Sequence, residues 1–116
     1  MVKDFLIPER GDIVWIDFSP TKGHEQSGLR PAVVVSTGEY NSFTGLVIVC
    51  PVTSKHKDYF FKVVIEKSQG GLQRKSFVLS DQIRSFDIKE RIKKTTSKVS
   101  EREINEILAR ASTLFK

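Results

Sequence analysis

Along the first two thirds of the chain, apolar residues come in short bursts that alternate with polar ones or run unbroken for four or five positions. Asp12–Phe18 is rich in β-branched and aromatic residues and is stopped by Pro20. Its two-residue period puts Val14, Ile16 and Phe18 on one face and Ile13, Trp15 and Asp17 on the other. Ala32–Ser36 and Leu46–Pro51 are apolar on both faces, as strands inside a sheet are. Tyr59–Glu66 predicts another strand, Gly70–Gly71 a turn, and Phe77–Leu79 and Gln82–Phe86 two short strands. Arg91–Lys98 reads as an edge strand, because lysines there discourage pairing with other chains.

The period changes at the end. Ser100 and Glu103 have the spacing of a capping box, and Val99 can staple against Ile104. Ile104, Ile107, Leu108, Ala111, Leu114 and Phe115 then share one helical face. The expected architecture is a small, twisted, mostly antiparallel sheet or barrel followed by one packing helix. There is no repeat, low-complexity tract or linker, so residues 1–116 are expected to form a single domain.

Composition narrows the class without naming a function. Apolar residues make up 39% and charged residues 28%, which is globular rather than disordered. The net charge of +5 is uneven: residues 1–58 carry 6 Lys+Arg against 7 Asp+Glu, and residues 59–116 carry 13 against 7. A basic half attracts polyanions, RNA among them, but is equally compatible with a merely soluble surface. The single cysteine, Cys50, ends the apolar run Leu46–Cys50 and is expected as a small buried hydrophobe rather than a catalytic thiol. One cysteine allows no internal disulfide, which suits a reducing compartment. Met1–Arg10 is broken by charges and a proline, and no apolar run approaches membrane length. A soluble, cytoplasmic protein is expected.

Three segments hold candidate chemistry. Ser19–Pro31 is the longest and least apolar connection of the front half. Gly23 and Gly28 let it turn or approach a ligand closely, and Lys22, His24, Glu25, Gln26 and Arg30 offer cations, an imidazole, a carboxylate and an amide. Arg30 precedes Pro31, which biases it to extended backbone at the root of a strand. In the second segment, Thr53 and Ser54 leave an apolar strand and are followed by Lys55, His56 and Lys57, groups that suit a phosphate oxygen or a plain capped turn. In the third, Leu79–Ser85 alternates apolar and polar residues and presents Gln82 and Arg84. Composition alone would leave all three as solvated surface. Two histidines, no cysteine pair and no phosphate-binding glycine motif argue against zinc or a nucleotide cofactor, so no metal and no cofactor is expected.

In order and spacing these segments resemble the MazF/PemK family of bacterial toxins. The resemblance is carried by Gly11–Phe18 with Pro20–Ser36, then by Cys50-Pro51-Val52-Thr53-Ser54, then by Leu79-Ser80-Asp81-Gln82-Ile83-Arg84-Ser85, and it covers nearly the whole chain. It implies an SH3-like small β-barrel with a C-terminal helix, a homodimer, and a cognate antitoxin protein as partner. It also implies sequence-specific, metal-independent cleavage of single-stranded RNA, leaving 2′,3′-cyclic phosphate and 5′-hydroxyl ends. Arg30 and Thr53 match the family's catalytic pair, with Glu25 also implicated; either Glu25 or His24 would serve as the base. Lys22, His24, Gln26, Ser54, Lys55, Lys57, Gln82 and Arg84 are the expected RNA-binding residues. Gyrase inhibitors of the CcdB type share this fold but end in Trp-Gly-Ile, whereas this chain ends in Leu114-Phe115-Lys116. A plain SH3-like binding module would need an exposed aromatic groove.

Overall fold

The computed structural model describes residues 6–18, 28–55, 58–66, 72 and 75–116. Within them lie β1 (Asp12–Asp17), β2 (Leu29–Val34), α1 (Gly38–Thr44), β3 (Leu46–Thr53), β4 (Lys62–Ile65), β5 (Ser76–Leu79), β6 (Arg84–Asp87), α2 (Ile88–Arg91), β7 (Ile92–Lys98) and α3 (Glu101–Ser112), with a 3₁₀ turn over Thr113–Phe115. Every strand pairing is antiparallel. The sheet runs β4-β5-β3-β2-β1-β7, with β6 beside β3. This is the expected mainly β class with a C-terminal helix; among the described residues the sheet is open rather than closed, with β4 and β7 at its two ends.

β3 organises the sheet. Its middle pairs with β2 on one edge (Ala32↔Pro51, Val33↔Cys50, Val34↔Val49). On the other edge its first half takes β6 (Val49↔Arg84) and its end takes β5 (Thr53↔Phe77). A strand flanked on both edges and packed on both faces must be apolar almost throughout, as Leu46–Val52 is.

Alternation sorts the strands into two cores. One gathers Ile13, Val33, Cys50, Val52, Val63, Ile65 and Val78 under Ile104 and Ile107 of α3. The other gathers Val14, Ile16, Ala32, Val34, Val47 and Val49 with Phe86 and Ile88, and Phe18 and Ile92 pack against it. The face assigned to Val14, Ile16 and Phe18 from their spacing is therefore a real one.

The capping box forms as its spacing predicts. Ser100 Oγ accepts from Glu103 N–H at 3.1 Å, and Glu103 Oε1 accepts from Ser100 N–H at 2.8 Å. The other oxygen of Glu103 accepts from Glu66 N–H at 3.2 Å, which ties the helix to the end of β4. One expectation for the helix needs correction: Leu114 and Phe115 do not join its buried face, being 43% and 77% exposed. The chain has tightened into a 3₁₀ turn there, and three residues per turn rotate these side chains off the 3.6-residue stripe.

Two short helices escaped the pattern. α1 starts at Thr37, whose hydroxyl accepts from Tyr40 N–H, and ends at Gly45 with φ +76°, a left-handed geometry that glycine adopts at no steric cost. Its buried residue is polar. Asn41 donates to Pro8 O at 2.8 Å and accepts from Ser36 Oγ, and Ser36 Oγ accepts in turn from Ile48 N–H at 2.9 Å. α2 is one turn, capped by Asp87, that points Ile88 into the second core. No helix among the described residues is long and apolar enough to cross a membrane.

Candidate nucleic-acid interface and active site

The two segments that supply Arg30 and Thr53 are far apart in sequence and adjacent in the sheet. The β2–β3 ladder pairs Ala32 with Pro51. Carried two residues further, the same register sets Arg30 opposite Thr53. Directly opposed residues project from the same face, and alternation from Ala32 and Val49 puts both on the face of the second core. Arg30 is half-buried and anchored by its pairing with Ile16 of β1. Gly28, with φ +101°, turns the chain into β2, and its carbonyl accepts from Phe18 N–H at 3.1 Å.

Thr53 is the last residue of β3. Its Oγ1 accepts from Lys55 N–H at 3.2 Å, the local turn bond that threonine often makes. The hydroxyl proton has no acceptor among the described residues, so capping the turn leaves it available as a donor. Ser54 and Lys55 follow in exposed positions.

Arg84 reaches the same face from β6, opposite Val49. Its guanidinium lies 5.3 Å from the Phe18 ring centroid and 4.9 Å from that of Phe86. The two rings meet edge to face at 5.2 Å. Stacking on an aromatic pair fixes the fork's direction while leaving its N–H groups outward. Gln82 is exposed in the turn before β6, and its N–H donates to Leu79 O at 3.1 Å. The β3–β6 register extended by two residues brings it beside Pro51. Arg30, Thr53, Ser54, Lys55, Gln82 and Arg84 thus surround one end of β3. Lys22, His24, Glu25, Gln26 and Lys57, and the Gly70–Gly71 turn, lie outside the described residues.

Cys50 takes no part. It is fully buried in the helix-covered core, and burial, helped by the charge of Asp81, pushes its thiol up to about 12. That matches the hydrophobe expected from its neighbours.

Sequence reasoning did not find the pair Tyr59 and Asp81. The Tyr59 hydroxyl donates to Asp81 Oδ2, and this bond, more than burial or the carboxylate's charge, raises the tyrosine's pKa. Asp81 Oδ1 is buried with no hydrogen-bond partner among the described residues. The pair joins positions 22 apart on different elements, and neither residue carries a local signal of the other. The aromatic seat of Arg84 was half legible, since the two-residue period already placed Phe18 on the correct face.

A family model described as "PemK-like, MazF-like toxin of type II toxin-antitoxin system" matches residues 9–115. This chain belongs to that family. The endoribonuclease toxin MazF of Escherichia coli K12 is 39% identical over 109 residues, covering 94% of this chain and 95% of the relative. The endoribonuclease PemK of Escherichia coli is 38% identical over 110 residues, covering 92% of this chain and 81% of the relative. Among solved structures, a MazE–MazF complex from Deinococcus radiodurans superposes with a TM-score of 0.80 at 32% identity, over 94% of this chain and 96% of that one. The family match spans all three segments singled out above, including Arg30 and Thr53.

Proposed function

We propose that this endoribonuclease toxin cuts single-stranded messenger RNA at specific sequences without a metal, using the RNA's own 2′-hydroxyl as nucleophile. The observation that supports the reading is the β2–β3 register, Ala32 opposite Pro51, which carried two residues further sets Arg30 across from Thr53 at the end of β3. In the reaction the 2′-oxygen forms a bond to phosphorus while the bond from phosphorus to the 5′-oxygen breaks. The 2′-OH proton passes to Glu25 or His24, and the leaving 5′-oxygen is protonated. The products are a 2′,3′-cyclic phosphate and a 5′-hydroxyl.

Arg30 supplies a permanent cation whose planar fork suits two phosphate oxygens. Because the strand pairing holds it in place, little orientation remains to be found when charge builds on the phosphorane. Thr53 donates its free hydroxyl proton to the same phosphate. Arg84, Gln82, Ser54 and Lys55, with Lys22, His24, Gln26 and Lys57, bind the strand on either side.

The whole chain serves as one domain, and it acts as a two-fold homodimer that extends the basic groove across both subunits. Its controlling partner is a cognate antitoxin protein, in keeping with the MazE–MazF complexes among its structural neighbours. An acidic antitoxin segment that folds over the basic groove would compete with RNA. Leu114 and Phe115 at the end of α3 remain exposed and available for the dimer interface.

Cleavage is expected to persist in EDTA and to stop when the nucleotide 5′ of the cut carries a 2′-deoxy sugar. Activity that vanished in EDTA and returned with magnesium would replace this mechanism with hydrolysis by a metal-bound water.

A further inference from the structure

Two strands share one edge of β3 in different registers. Val52 pairs with Val78 of β5, and Val49 pairs with Arg84 of β6. Leu79–Ile83 therefore spans, with five residues, what Cys50 and Pro51 span with two. The surplus must leave the ladder with β3 as a bulge, and its outer part presents Gln82, exposed, just ahead of Arg84.

The bulge is seated on the segment through which the chain returns from Thr53. Its base is fixed from inside: fully buried Ser80 donates to Phe61 O from its N–H, at 2.9 Å, and from its Oγ, at 2.8 Å. Its outer part has one side-chain hydrogen bond among the described residues, from the Tyr59 hydroxyl to Asp81 Oδ2. Tyr59 is itself held. Its carbonyl accepts from Lys62 N–H at 3.1 Å, its ring lies 5.8 Å from that of Phe61, and the carbonyl of Phe60 accepts from Arg110 of α3.

Packing alone does not account for this pair. Asp81 Oδ1 is buried without a hydrogen-bond partner among the described residues, and the tyrosine bonded to Oδ2 is 41% exposed. A carboxylate with one oxygen desolvated and unpaired is destabilising, and an apolar side chain would fill the place without that cost. Such an arrangement belongs where position matters more than stability.

We propose that Tyr59 is a positioning residue for RNA: through Asp81 it holds the bulge on the segment returning from Thr53, so that Gln82 and Arg84 meet the strand at a fixed spacing from Thr53 and Lys55. The proposal rests on the nuclease reading above and adds to it a residue that acts through its neighbours. The bond to Asp81 is the main cause of the phenol's raised pKa, which keeps it protonated, and the bond made, through the neutral range. Without the bond, the bulge would have to be ordered as RNA binds. That ordering opposes binding rather than the bond-breaking step.

The test is a double-mutant cycle read in steady-state cleavage and in RNA binding by fluorescence anisotropy. Tyr59→Phe removes the donor and Asp81→Ala the acceptor. Each should weaken binding and raise KM about 5-fold, the scale of one hydrogen bond, with kcat held, and the double variant should be no worse than either. Asp81→Asn, which keeps an acceptor for the phenol, should bring KM back towards the wild-type value. In ultraviolet titration the Tyr59 phenol, identified by its absence from Tyr59→Phe, should ionise at lower pH in Asp81→Ala. Variants that melt earlier but keep the wild-type KM would make the pair structural only and overturn the proposal. Additive effects in the double variant would overturn it too, as would a phenol that titrates alike with and without Asp81. So would an Asp81→Asn that loses kcat while Tyr59→Phe keeps it, since Asp81 would then act on the reaction itself. The nuclease reading fails separately. A wild type that binds RNA without cutting it would remove the nuclease, while weaker binding by Tyr59→Phe would keep the positioning role.

Discussion

The two faces of the sheet are built from the same strands and have different uses. The face under α3 is closed: Ile13, Val33, Cys50, Val63 and Ile107 are all fully buried there. The other face is buried as completely, in Val14, Ile16, Ala32 and Val34, yet its margin carries Arg30, Thr53 and Arg84. Adjacent residues of one strand point to opposite sides, as Val52, in the helix-covered core, and Thr53 do. A helix over one face makes the sheet rigid enough to hold charged groups on the other without help from the ligand.

If this division is real, each face should fail in its own way. Ile107→Ala should have the largest effect, a loss of about 2–5 kcal/mol in stability measured by urea unfolding, because it empties a fully buried site under the helix. Cleavage per folded molecule should stay near the wild-type value. A large catalytic defect in still-folded Ile107→Ala would blur the two faces into one. Arg30→Ala and Thr53→Ala should do the reverse, each lowering RNA cleavage at least ~100-fold, about 2.7 kcal/mol of barrier, with an unchanged circular dichroism spectrum and melting temperature. A fully active Arg30→Ala would remove the catalytic assignment. Glu103→Ala is the mildest and sharpens the boundary. It deletes half the capping box and the tie to Glu66, and should cost about 1–2 kcal/mol in thermal unfolding with no change in RNA affinity.

What could be read from the chain follows the same division. Periods of two and of 3.6 marked Asp12–Phe18 and the helix from Glu101, because burial on a face leaves a periodic trace. The same signal was blind to α1, whose buried residue is the polar Asn41, held by Ser36 and Pro8 rather than by an apolar stripe. It also carried the helical stripe too far, to Leu114 and Phe115, since a change of helical pitch leaves no mark in composition. Arg30 and Thr53 were legible only as motif positions. Their meeting is a matter of register between strands, which no local pattern contains. Tyr59 and Asp81 met for the same reason and went unseen.

The order in which the strands are joined has a consequence for the cell that makes this protein. β1 is completed early in synthesis but takes β7 as a neighbour, and Asp12 meets Lys98 across 86 positions of chain. β3 likewise waits for β6 before its first half is paired. A chain still emerging from the ribosome can therefore hold Arg30 and Thr53 without the sheet that supports them. The sheet that supports Arg30 and Thr53 is complete only once β6 and β7 have been made.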